Sequence, residues 1–361
     1  NAGLGNFGVT TMQILVPLFM TFGIFGGEPM ILENTSGTLI GKIPAGTESY
    51  IHNAGFVWLL ILVPLAFAGW LGMNNLRASH VSPDVPNPIG AFGGMTGMLF
   101  VALATSAFGL WLLLPETVNG SGFGVPKEIV LLIIIALTVF LLKQIPGSIG
   151  QTLDRQYKIF GNKHTWVMSV IYTMTFGSFI GFAASFPLSI KVIFGYQHLM
   201  VDGVMNHDTI NPNGPSALMY AWMGPFIGAL IRPVGGWIAD KIGGALVTQI
   251  CAAIMVAAAI GVAYFMQLAY QSASPEEYFV SFFILFLVLF AATGIANGST
   301  FRTISMVFNK EQAGPVLGWT SAIAAYGAFY IPQVLGEQIK ATTPEYALYG
   351  FAIFYVVCIV I

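Results

Sequence analysis

Ten apolar runs set the terms on which this chain can fold: residues 3–26, 54–74, 90–114, 127–145, 165–190, 215–239, 244–270, 276–308, 315–336 and 345–361. Each has about the length of a helix crossing a hydrocarbon core ~30 Å thick, at ~1.5 Å of rise per residue. Inside lipid a backbone finds no hydrogen-bond partner except itself, so such runs predict transmembrane helices, and the Gly and Pro within them are tolerated there. Composition agrees. Of the 361 residues 56% are hydrophobic and only 8% charged, whereas a soluble domain carries about a quarter charged residues. The expected class is an all-α polytopic membrane protein with ten spans in this stretch.

Several kinds of chemistry are excluded by the same residues. Cys251 and Cys358 both fall in apolar runs without C-x-x-C spacing, which argues against a disulfide framework or a thiolate metal site. His52, His80, His164, His198 and His207 lie in polar connectors or at span edges, so no pair within a span offers bis-histidine haem ligation. No cofactor, metal or nucleic-acid partner is implied. The first residue is Asn1, no basic leader precedes an apolar stretch, and "YGFAIFYVVCIVI" stops in mid-run. Both ends look cut, and the chain is expected to be a piece of a longer protein.

Basic residues orient the spans. On the side of residue 1 the connectors hold Arg77, Lys143, Arg155, Lys158, Lys163, Lys241 and Lys310; the opposite side holds Lys42, Lys127, Lys191 and Lys340. That opposite side also carries Glu28, Glu33, Glu48, Asp202, Asp208, Glu276 and Glu277. The positive-inside rule makes the first side cytoplasmic. The connector 146–164 is the longest on that side and the best domain boundary.

One charge stands out. In "GPFIGALIRPVGGWIADKIGG" (224–244), Arg232 precedes Lys241 by nine residues, roughly 13 Å up a helix from the cytoplasmic end. Insertion there costs about 2.5–3.5 kcal/mol, so something must compensate. A structural ion pair would need an intramembrane carboxylate, but all 15 Asp and Glu fall in connectors or at span ends, with Asp240 at the cytoplasmic rim nearest to a core. The reading therefore turns to an anion received from outside, for which the planar guanidinium fork is well suited. Gly224 and Gly228, on the same helical face, fit either a lined cavity or close helix packing.

Three further stretches carry polar or aromatic groups at helical spacing. Asn6, Thr10 and Gln13 share a face, with Gly3, Gly5 and Gly8 thinning that helix. Tyr172, Phe176 and Phe179 form a stripe, either for a site or for lipid and core contact. Thr293, Asn297 and Thr300 line another face, where interhelical hydrogen bonding is the plain alternative. Arg302, eight residues before Lys310, either snorkels to the cytoplasm or joins Asn297 as an anion-attracting group of an inner vestibule.

"GGWIADKIGG" resembles the G-x-x-x-D-[RK]-x-G-G turn of the major facilitator superfamily, with Asp240, Lys241 and Gly244 in the position of its conformational latch. "NAGLGNFG" (1–8) and "SAIAAYGAFYIP" (321–332) resemble the two signatures of the nitrate/nitrite porter family. "TFGSFIGFAASF" and "GPFIGALIRPVGG" are similar to that family's seventh and eighth helices. The resemblance covers most of the chain outside 75–164. It implies helical bundles of the major facilitator type, with residues 1–74 as the end of the first bundle, 75–164 as an inserted helix pair and linker, and 165–361 as the second bundle. It implies further that Arg232 is one of two arginines gripping the anion, that Tyr172 donates to it, that Phe176 walls the pocket and that Asn6 assists. The other arginine belongs to a family helix this chain lacks. Ala324 and Ala328 stand where family glycines are common, beside the retained Gly327, and Arg302 replaces an uncharged polar residue.

The expected function is transport of nitrate and nitrite, not enzymatic catalysis, across the inner (cytoplasmic) membrane by a monomer embedded in the lipid bilayer. Exchange by alternating access is favoured, because proton coupling usually calls for an intramembrane carboxylate or histidine. Nitrate/proton symport, carriage of another small anion, an anion channel and a redox-enzyme subunit are the rivals.

Overall fold

The computed structural model describes residues 5–32, 36–38, 41–73, 88–115, 123–145 and 147–361. Gly3, Glu33, Arg77 and His80 of the sequence reading lie outside them. Helices dominate. In chain order they are α1 (Phe7–Phe19), α2 (Asn53–Gly72), α3 (Pro88–Leu113), α4 (Lys127–Lys143), α5 (Gly147–Gln156) and α6 (Lys163–Phe194). There follow α7 (Ala217–Ile242), α8 (Gly244–Tyr270), α9 (Phe279–Val307), α10 (Lys310–Ala325), α11 (Gly327–Lys340) and α12 (Glu345–Val360).

Among the described residues six helices are long and apolar enough to cross a membrane: α2, α3, α6, α7, α8, and α9 with the short turn before it. They match six of the ten predicted spans. The other four are shorter. α1 stops at Phe19, and the chain beyond it turns through Gly26 and Gly27, both at positive φ; α4 and α12 are apolar helices of 17 and 16 residues. The run 315–336 is parted at Tyr326 into α10 and α11. Asn309 starts α10 by accepting a hydrogen bond from the Gln312 amide at 2.9 Å, an N-cap placed just past the end of α9.

The connectors depart from the all-α expectation: among the described residues they hold three antiparallel strand pairs. β1 (Met30–Ile31) pairs with β4 (Glu48–Ser49), β2 (Ser36–Thr38) with β3 (Gly41–Ile43), and β5 (Tyr196–Val201) with β6 (Val204–Ile210). The β5–β6 turn is Asp202–Gly203, with φ of 52° and 79° and Val201 opposite Val204. An Asp-Gly pair with both φ positive is a favoured two-residue hairpin loop.

The chain divides into two compact units, residues 68–162 and residues 1–67 with 163–361. In the smaller unit α3 and α4 pack closely: the Ile134 side chain fills the space where a Cβ on Gly109 would sit, and the Thr138 hydroxyl donates to that of Thr105 at 2.8 Å. In the larger, α6, α8, α9, α11 and α12 enclose the core. Phe179, Phe182, Phe186, Phe282, Phe286 and Phe290 interleave between α6 and α9, each nearly inaccessible, with Phe186 and Phe286 stacked at 4.4 Å between centroids. Small side chains let the backbone of α8 approach: Ala252, Ala258, Ala259, Ala263 and Ala269 all face inward. Where lipid surrounds the helices, this packing, rather than escape from water, holds them together.

Candidate anion site

Two helix seams place the site. Along α7 and α9, glycines meet backbone: a Cβ on Gly298 would fall 2.0 Å from the Arg232 carbonyl oxygen, one on Gly294 2.3 Å from that of Gly228, and one on Gly235 2.1 Å from that of Ile295. No side chain fits there, so the two helices run in direct main-chain contact, as small-xxx-small sequences allow. Along α6 and α11 a Cβ on Gly327 would lie 2.3 Å from the Gly177 carbonyl oxygen. Gly327 is thus the glycine that this crossing requires. Ala324 is buried against the same seam, whereas Ala328 is exposed.

Arg232 projects from the first seam and is 5% exposed. Its Nη2 donates to Oδ1 of Asn297, which comes from α9 and is 1% exposed. Its guanidinium lies 5.4 Å from the centroid of the Phe176 ring, within cation–π range. The Tyr172 hydroxyl interacts with both Arg232 and Ser321. Tyr172 and Phe176 are stacked at 5.3 Å and 21°. Tyr172 precedes, and Phe176 lies within, a π-helical turn, Thr173–Gly177, that interrupts α6; such turns recur at functional sites.

Of the predicted site residues, the structure brings Tyr172, Phe176 and Arg232 together and adds Asn297 to them. The aromatic stripe faces inward: Tyr172 and Phe179 are 2% and 1% exposed, Phe179 packing edge-on to Phe290. Asn6 opens α1 without capping it, and among the described residues no hydrogen bond joins it to this cluster. α1 itself reaches the larger unit's helices through Phe7 on Phe226 at 5.7 Å and Gln13, whose amide donates to the Ala183 carbonyl at 2.8 Å. Gly224 and Gly228 do not open a cavity; the Phe290 and Phe179 rings occupy the space beside them. Gly5 and Gly8 meet nothing within 4 Å of an added Cβ.

The remaining candidates gather where α7 ends and α8 begins, beside the last turns of α9. Arg302 Nε donates to Oδ1 of Asp240 in an ion pair whose side chains are 50% and 46% exposed. Lys241 Nζ sits 3.8 Å from the centroid of Trp237. Gly243, at φ 94°, turns the chain into Gly244, where a Cβ would strike the Thr303 hydroxyl at 2.0 Å. Ser299 donates to the Gly244 carbonyl at 2.8 Å, so α9 clasps the α7–α8 turn. Arg302 and Asp240 lie 62 positions apart, and no local sequence signal pairs them.

A fixed cation, an aromatic face, a phenol and a carboxamide converge here within a mostly apolar helix layer, an arrangement able to hold a small oxyanion through a guanidinium fork. Comparison with known proteins agrees in kind. The chain is 28% identical to a probable nitrate/nitrite antiporter of Thermus thermophilus over 98% of its own length and 59% of the relative's. It is 27% identical to a nitrate/nitrite transporter of Escherichia coli, covering 100% of the chain and 61% of that protein. A nitrite extrusion protein of Bacillus subtilis is 26% identical over 62% of the chain and 51% of its own length. No family profile matches. The chain therefore spans about three-fifths of the first two relatives. Its long apolar helices and bacterial relatives make it a multi-pass protein of the cytoplasmic membrane. Relatives named for the transport of these two anions thus match nearly the whole of a chain that buries an arginine among polar and aromatic side chains.

Proposed function

We propose that the protein to which this chain belongs carries nitrate and nitrite across the cytoplasmic membrane by exchange, binding either anion at Arg232. The observation that carries this reading is the buried guanidinium, held by Asn297 and Tyr172 over the Phe176 ring. These three groups are themselves uncharged. Both anions present planar oxygens that match its fork. The relatives' names, a nitrate/nitrite antiporter among them, support the substrate and the exchange.

The mechanism follows from the cost of burying charge. A protein closing around a buried guanidinium loses the water that solvates it, and an anion in the site offsets that loss. Loaded with nitrate or nitrite, the site passes through the closed state; without an anion the passage is slow, which couples import of one anion to export of the other. In this reading residues 1–74 belong to a first helical bundle, 75–164 are an inserted pair and linker, and 165–361 form a second bundle that rocks against the first. Asn6 serves the site from α1, and the rim formed by Asp240, Lys241, Gly244 and Arg302 is the latch that sets the cytoplasmic ends. The monomer is the working unit.

Counterflow tests it. Full-length protein in vesicles loaded with nitrite should accumulate labelled nitrate, and a proton uncoupler should leave the uptake unchanged. Uptake abolished by the uncoupler would establish symport instead, and equal uptake of small carboxylates would overturn the substrate assignment.

A further inference from the structure

The polar face of α9 carries Thr293, Asn297 and Thr300, all 1% exposed or less. Their donors are not equally available. The Thr293 hydroxyl donates to the Phe290 carbonyl at 2.8 Å, and that of Thr300 to the Ala296 carbonyl at 2.8 Å. A hydroxyl has one hydrogen, so both are committed to their own helix. Asn297 differs. Arg232 has donors only, so the atom facing it must be Oδ1, and chemistry fixes the amide's orientation. Nδ2, the other end of the same carboxamide, is then buried with no acceptor among the described residues. The glycines at 294 and 298 hold this stretch of α9 against the α7 backbone, so the side chain stands at a fixed place.

We propose that Asn297 is a direct anion ligand, its Nδ2 donating to the substrate oxygen held by the adjoining Nη2 of Arg232. The inference rests on the assignment of Arg232 as the nitrate and nitrite site, and it names a second donor of that site. Buried polar donors without acceptors are rare in native proteins and call for an explanation; an oxyanion beside the guanidinium supplies the missing acceptor. The contacted oxygen is present in both nitrate and nitrite, so the contact serves both. It also makes the carboxamide a part of the selection: Oδ1 steadies the cation while Nδ2 rejects any ligand that lacks an acceptor there.

Asn297→Asp separates this role from a structural one. The substitution keeps size, shape and the oxygen facing Arg232, but replaces two donors with an acceptor and adds a charge. Nitrate and nitrite dissociation constants are measured on the purified full-length protein from pH 5 to 8, with Thr300→Val as the neighbouring control. At pH 8 the Asp variant should bind at least roughly 10- to 150-fold more weakly, the range expected for a hydrogen bond to a charged group. Protonation recreates a donor on the isosteric carboxyl, so its affinity should recover as pH falls, approaching about tenfold per pH unit for one proton per anion. The wild type and Thr300→Val should stay flat. Wild-type affinity in the Asp variant at every pH, or a loss with no recovery at low pH, would overturn the ligand assignment. If the wild type itself binds neither anion, it is the nitrate and nitrite reading that falls.

Discussion

Gly298 offers a test of the seam that assembles the site. Replacing it with alanine would put a methyl 2.0 Å from the Arg232 carbonyl oxygen and 2.9 Å from the Gly236 nitrogen. Both are main-chain atoms and cannot rotate aside. Ordinary contact begins near 3.4 Å, so α7 and α9 must part by more than an ångström. Overpacking of that kind costs about 1–3 kcal/mol. The Arg232–Asn297 bond bridges the same two helices, and a shift of that size exceeds the few tenths of an ångström a hydrogen bond tolerates. Its loss adds about 1.5–3 kcal/mol, the value for a bond to a charged group. Gly318 is the control: it lies within α10 and an added Cβ meets nothing within 4 Å, so alanine there should be neutral or stabilising by roughly 0.5–1 kcal/mol through helix propensity. Cys251 and Cys358 are buried free thiols, and a thiol-reactive dye followed on heating reports unfolding directly. Gly298→Ala should melt well below the wild type and bind nitrate weakly, with Gly318→Ala at or above the wild type. A Gly298→Ala protein with unchanged melting and affinity would refute the close-contact argument.

Two further outcomes are expected. In the β5–β6 hairpin His198 Nδ1 lies 2.6 Å from His207 Nδ1, its Nε2 2.8 Å from the Ile193 carbonyl, and His207 stacks on Tyr270. Burial holds both imidazoles below the ordinary value of 6.5; the Ile193 carbonyl and Asp208 oppose this for His198 and His207 respectively, and each added charge on His207 disfavours one on His198. A depressed folded pKa means the unfolded state binds protons first as pH falls. The hairpin's stability is therefore complete above pH 6.5 and is lost as pH drops through the lower folded values. Amide exchange over Tyr196–Ile210, corrected for intrinsic rates, should accelerate between about pH 7.5 and 5, and His198→Gln should flatten that dependence; a pH-independent profile in the wild type would contradict it. At the rim, Arg302→Gln removes an exposed ion pair worth about 0–1 kcal/mol. Melting temperature and nitrate affinity should both change little, whereas a large, salt-dependent fall in affinity would return Arg302 to the anion path.

Which parts of this were legible beforehand depended on distance along the chain. Arg232 was conspicuous because a permanent charge in an apolar run has few explanations, and Tyr172 and Phe176 were linked by their i,i+4 spacing. Whether that stripe faced lipid or the interior is a property of packing, and it took the α6–α9 contacts to decide it. The bond between Arg232 and Asn297 spans 65 positions and depends on where α7 crosses α9. Its sequence trace was the glycine pair 294 and 298, which signals close approach without saying to which helix. The same limit hid Arg302 and Asp240. The Asp202–Gly203 turn, by contrast, is local and readable, as is the end of α1 at a glycine-rich stretch; the span expected over 3–26 runs past that end, and the connector that holds the turn carried no expected structure. The π-turn at 173–177 has no comparable signature in "TMTFG".

The central claim is that the counter-ion of Arg232 is cargo. Nitrate binding and counterflow by full-length Arg232→Lys protein test it most directly, since lysine keeps the charge and loses the planar fork. Correct insertion with anion affinity and exchange reduced at least ~100-fold is the expected result, the scale for a bidentate charged contact. Wild-type binding and exchange in that variant would contradict it.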